Sequence, residues 1–254
     1  MKKIVLLVAI LLALTMCFTT VKAATQGAID SSIARGLKWL AAQQKPGGHF
    51  GDPDKPNYYW VALTAFAVLK FEEHAARLGK NPFDATYEYH HQVDSGWTYL
   101  STQLHTQTPM NDQSGKDPEQ YTGNDNYGIF FSDRSDYWYS PYETGIVMMA
   151  LWASASPNRP FPNHPSCATT FRDVLEDCVD WCAWAQCDGG NGRGGWRYLP
   201  YDNASGDCDN SVSQWPVLGL LSAEAPEWNI TAPAWVDSEL LGAVSQIAIG
   251  LVKM

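Results

Sequence analysis

Basic residues are scarce in this sequence. Its 254 residues hold 17 Lys and Arg against 27 Asp and Glu, a formal net charge of −10. Nucleic-acid binding relies on cationic groups that displace counterions from phosphates, and anionic membranes attract the same groups, so the balance argues against both partners. Charged residues are few altogether, at 17%. No apolar run reaches the roughly 20 residues of a helical membrane span. No glycine-rich phosphate loop, serine nucleophile elbow or EF-hand spacing occurs. What the chain does have is apolar and aromatic: 45% hydrophobic residues, with 11 Trp and 12 Tyr. That composition belongs to a folded globular protein with a real core, not to a disordered chain.

Met1-Lys2-Lys3 is a basic start, Ile4 to Leu14 is an apolar run of signal-peptide length, and Val21-Lys22-Ala23 offers small residues to a signal peptidase. Residues 1–23 are therefore read as a signal peptide cleaved after Ala23, with 24–254 as the mature domain in a secreted or periplasmic location. A lipid anchor on Cys17 is the rival reading; Met16 fits it poorly. Beyond Cys17, cysteine is absent until Cys167, followed by Cys178, Cys182, Cys187 and Cys208. An extracytoplasmic compartment makes disulfides the default, and Cys187–Cys208, flanking one glycine-rich loop, is the expected pair. The alternative is a metal site from the last four, but their C-x3-C-x4-C-x20-C spacing matches no standard zinc pattern. No cofactor is called for.

Three stretches share one plan: an amphipathic helix, a glycine/aromatic turn, then an apolar helix. In the first, Ile33, Leu37, Trp39, Leu40 and Gln44 follow helical spacing, Pro46 to Gly51 breaks it, and Tyr59 to Leu69 is apolar on nearly every side and so predicts a buried helix. In the second, Val93 to Leu104 and Tyr142 to Trp152 are the helices, separated by a polar loop over 106–138. In the third, Val174 to Gln186 precedes Gly194-Gly195-Trp196, and Val212 to Leu221 is the apolar helix, where Pro216 should kink the helix or delay its start. Ala234 to Val252 reads as the first helix of a fourth copy.

Arg35-Gly36-x-x-Trp39-Leu40-x-x-x-Gln44-x-x-x-Gly48-x-Phe50 resembles the QW motif of squalene–hopene cyclases and related triterpene cyclases. Trp181-Cys182-x-x-x-Gln186 with Gly194-Gly195-Trp196 is a second copy. Asp209-Asn210-Ser211-x-x-Gln214-Trp215 looks like the start of an inner helix in the same repeats, which protein prenyltransferase β subunits share. The resemblance spans about 29–225. It implies an all-α fold, a partial α/α toroid in which outer and inner helices alternate around a cavity, incomplete at the C-terminus, with an open concave face. The QW glutamines Gln44 and Gln186 would then cap neighbouring helix ends and lie on Phe50 and Trp196.

The same resemblance offers chemistry. Asp207-Cys208-Asp209-Asn210 is similar to the DxDD motif of class II terpene cyclases, which implies Asp209 as general acid with Asp207 supplying like charge. Elementary electrostatics points the other way, because an Asp at a helix N-terminus is stabilised as the anion. A prenyltransferase zinc set is broken where Asp209-x-Ser211 replaces the cysteine, and Asp180-x-Cys182 sits on an outer helix. His90-His91 are adjacent and read as surface. Asp188, Asn191, Asp202 and Asn203 read as loop residues. Asp112, Asp117, Glu119, Asp125, Asp133 and Asp136 among Tyr121, Tyr127, Trp138 and Tyr139 would suit a carbohydrate. Three functions follow: a non-catalytic module that holds a small molecule or protein on its concave face through Tyr59, Trp60, Tyr142, Trp196 and Trp215, with a homo-oligomer as one way for a second copy to supply the missing face; a cyclase-like enzyme using Asp209; or a carbohydrate-active protein using the acidic loops.

Overall fold

A computed structural model describes residues 24–52, 54, 59–107, 127–187, 189, 192–200, 208–234 and 236. The predicted signal peptide, Asp207, the loop acids Asp112 to Asp125 and Asp188 to Asn203, and all but the start of the fourth-copy helix lie outside them. Two compact units divide at Trp39/Leu40. The described part of the first is most of helix α1, Gln26–Ala41. Five more helices follow among the described residues: α2 (Trp60–Arg77), α3 (His90–Ser101), α4 (Ser140–Ala153), α5 (Phe171–Ala185) and α6 (Asn210–Ala223).

The described residues are mostly helical, compatible with the expected all-α class, with one small hairpin. Where the sequence predicts a polar loop in the middle copy, Leu104–Gln107 (β1) and Gly128–Phe131 (β2) pair antiparallel, Leu104 opposite Phe131 and Gln107 opposite Gly128. The run Gly128-Ile129-Phe130-Phe131 is buried throughout, which a solvent-facing loop cannot accommodate.

The helices sort as their sequences suggest. α2 buries ten side chains, including Val61, Ala65, Val68, Leu69 and Phe71. It ends where Gly79 adopts φ 64°, with Gly79 N–H bonded to Ala76 O and Lys80 N–H to Ala75 O. This is the glycine-terminated C-cap that satisfies orphan carbonyls. α5 opens with a capping box, Thr170 and Asp173 each accepting from the other's backbone N–H. α4 packs against both α2 and α6, α3 against α2, and α5 against α4, β2 and α6. Apolar helices α2, α4 and α6 thus contact one another in sequence, each with an amphipathic helix at its side.

Pro216 neither delays α6 nor shortens it. The helix starts at Asn210, two residues earlier than expected, and carries Pro216 inside. Here α6 comes unusually close to α4: a Cβ on Gly145 would overlap the backbone of Trp215 and Pro216, and one on Gly219 would meet Met148 of α4.

One hydrogen bond recurs in all three copies. The backbone N–H of Phe50 donates to Thr64 Oγ1 (3.0 Å), that of Phe131 to Thr144 Oγ1 (3.0 Å), and that of Trp196 to Ser213 Oγ (2.9 Å). Each ties the segment before an apolar helix to that helix's second turn. β2 therefore occupies in the middle copy the place that the glycine turns occupy in the others. The glutamines recur as well. Gln44 Nε2 donates to Gly48 O and to Gln92 O, both at 2.9 Å. Gln186 Nε2 donates to Gly194 O (3.1 Å) and to Val236 O (3.3 Å). Each amide closes its own turn and reaches backbone about fifty residues on.

Candidate functional site

Superposing Thr64, Thr144 and Ser213 along the chain aligns Tyr59 with Tyr139, and Ala62 with Tyr142 and Ser211. All five line a single cavity of about 490 Å³, together with Leu63, Phe66 and Tyr198. The cavity therefore lies at the N-terminal ends of α2, α4 and α6. Tyr59 and Tyr139 are the N-cap residues of α2 and α4, and both are left-handed, at φ 64° and 80°. A bulky side chain at positive φ is uncommon and strained, and strain of this kind is concentrated at functional sites. Tyr59 Oη donates to Tyr139 Oη at 3.2 Å, and this bond with burial pushes the Tyr59 phenol up to about 12.

Carboxylates cap two of these helices. Asp133, just past β2, accepts from the N–H of Trp60 (2.7 Å) and of Val61 (3.3 Å) at the head of α2. Asp209 accepts from Ser211 N–H (2.7 Å) and Ser211 Oγ (2.6 Å) at the head of α6. These bonds, with a smaller contribution from the nearby Tyr198 hydroxyl, hold the Asp209 carboxyl below the usual carboxylate range. It is an anionic cap whose side-chain partner, Ser211, lines the cavity.

Glu143, in the first turn of α4, behaves oppositely. It is fully buried and neither carboxyl oxygen has a hydrogen-bond partner. Burial, then the nearby Asp133 charge, push it well above the ordinary glutamate range. Asp133 is also raised, by burial that outweighs its two backbone donors. Tyr99 feels both carboxylates, though burial raises it most.

Of the residues read from sequence as ligand contacts, Tyr59 and Tyr142 line the cavity. Trp215 stands behind it, with ring centroids 5.1 Å from Tyr142 and 5.3 Å from Phe66. Trp60 instead stacks on His49 at 4.3 Å. Trp196 is fully buried, its indole N–H bonded to Cys182 O at 2.8 Å, so it holds the turn together. Asp209 touches the site through Ser211. Asp136 pairs with Arg134 at 2.7 Å, which holds its carboxyl at about 2.

Sequence reading missed Phe66, Leu63, Ala62, Tyr198 and Ser211 as lining residues, and named Tyr139 only among the aromatics of the acidic loop. The Thr64/Thr144/Ser213 alignment matches Tyr139 to Tyr59, Ala62 and Ser211 to Tyr142, and Phe66 to Trp215; it reaches neither Leu63 nor Tyr198, which the chain brings in from the loop before α6.

No disulfide joins the described cysteines. Cys187 N–H bonds to Gly195 O, and the Cys208 sulfur lies against Gly195, so the expected pair flanks one glycine. Cys178 and Cys182 are buried, with Cys182 Sγ 3.7 Å from Met148 Sδ. Among the described residues no group of three or more His, Cys, Asp and Glu could hold a metal ion, and no helix is long and apolar enough to cross a membrane. No family model, no curated protein and no solved structure matches this chain.

Proposed function

We propose that this chain is a secreted or periplasmic binding module built of α/α-toroid repeats like those of terpenoid cyclases and prenyltransferases, and that it holds a small molecule without transforming it. The observation carrying this reading is the cavity of about 490 Å³ made from equivalent positions of three repeats, two of them tyrosines kept at positive φ. Pockets of this size with apolar walls and a few placed hydroxyls suit small organic ligands. The alternation of apolar and amphipathic helices, with Gln44 and Gln186 each reaching into the next copy, supports the toroid arrangement. The basic start and apolar run of residues 1–23 support export.

A general acid must hold its proton near neutral pH. Asp209 is a capped anion, which speaks against the cyclase-like reading. Glu143, whose carboxyl burial pushes well above the ordinary glutamate range, does not line the cavity.

Titration with Nile red, a neutral dye that brightens in apolar surroundings, tests the reading. Saturable binding near one equivalent is expected, and Ala62→Trp, which fills the cavity, should abolish it. Binding undiminished in that variant would sink the proposal. Incubation with squalene should leave it unchanged; a cyclised product lost in Asp209→Asn would show the module to be an enzyme.

A further inference from the structure

We propose that the tyrosine-lined cavity takes a small quaternary or alkylated ammonium cation, held on ring faces with carboxylate behind its rim. This rests on the cavity being a ligand site and goes on to the ligand's chemistry.

The rings are walls, not a platform. Tyr59 and Tyr139 have centroids 5.0 Å apart at 47°, and Tyr139 and Tyr198 5.3 Å apart at 86°. Behind them Tyr142 meets Trp215 at 55°, and Phe66 meets Trp215 at 74°. Faces turned in several directions do not offer the single flat surface a pyranose stacks on. They do surround a compact cation with negative ring faces, the arrangement that recognises alkylammonium groups.

Two of the five lining hydroxyls have their protons committed: Tyr59 donates to Tyr139, and Ser211 to Asp209. What these two turn toward a ligand is oxygen lone pairs, which suit the polarised C–H and N–H groups of an ammonium ion.

Charge agrees. No Lys, Arg or His is among the lining residues. Arg134 stands beside the cavity, its guanidinium carbon 6.0 Å over the Tyr139 ring, but it forms a double hydrogen bond with Asp136 (2.8 and 2.7 Å) that neutralises it. Helix N-termini would ordinarily draw anions, yet those of α2 and α6 are occupied by Asp133 and Asp209. The remaining charge is negative, within a chain of net charge −10.

Choline, its uncharged isostere 3,3-dimethyl-1-butanol and methyl glucoside should each be titrated against the protein with Nile red bound. Choline is expected to displace the dye saturably and the isostere to be at least about tenfold weaker. Tyr142→Leu and Tyr139→Leu, which keep apolar volume but remove a ring, should each weaken choline about fivefold, with Tyr142→Phe unchanged. Equal affinity for choline and the isostere would overturn the proposal, as would displacement by methyl glucoside alone or by none of the three. Dye that fails to bind at all would overturn the ligand-site reading, and this proposal with it.

Discussion

Glu143 gives the molecule a pH signature. Its native carboxyl is raised above its unfolded value near 4.5 by burial and by Asp133, so the folded state binds the proton more tightly than the unfolded chain does. Stability is therefore full below the unfolded value and falls as pH rises toward the raised native one, by about 1.4 kcal/mol per pH unit for each such group. Glu72 acts in the same direction, although Trp97 Nε1 donates to it at 2.8 Å. Glu143→Gln should flatten the slope, raising stability at pH 8 and leaving it little changed at pH 4. Urea unfolding across that range checks this, and an unaltered slope would refute the assignment. Sequence alone could not have found this group. Glu143 follows Tyr142 in an apolar helix, and only packing reveals that it turns inward without a partner. Asp209 was more legible, because helix-capping chemistry is local and its sequence position already announced the anion.

At the scale of the element, hydrogen bonds repeated between copies keep the helices in register. Gln44→Ala would strip a donor from both Gly48 O and Gln92 O, and is expected to cost about 1–3 kcal/mol. Gly48→Ala should cost at least about 2 kcal/mol: its φ is 86° and a Cβ there would strike the Ser95 carbonyl. Gly145→Ala should cost about 3 kcal/mol by forcing α4 away from α6 at Trp215 and Pro216. Chemical denaturation of the three variants measures each loss. All six described helices were visible as apolar or amphipathic periods, with ends displaced by up to eight residues, since caps such as Thr170 and Gly79 act locally. The hairpin was not visible. β1, Leu104-His105-Thr106-Gln107, lacks a clear alternation, and its partner lies twenty residues away across a polar stretch. Only the run Gly128 to Phe131 hinted at a strand.

For the whole molecule, binding should be separable from stability. Ala62→Trp fills the cavity, while Gly145→Ala loosens the packing beyond it, so the first should abolish dye binding with a small change in unfolding midpoint and the second should do the reverse. Joint loss of both properties in both variants would mean that the cavity is no more than a packing defect. Repeat architecture makes such separation natural, since each copy is held mainly by its neighbours.

Tyr59 and Tyr139 sit in a backbone conformation that glycine would adopt without strain, each at a penalty of about 1–3 kcal/mol. A laboratory selection for heat resistance alone would therefore drift toward glycine at both positions, and would recover robust proteins with their aromatic walls gone. Thermal hardiness and molecular recognition are set against each other at two residues, so any improved variant must be screened for both.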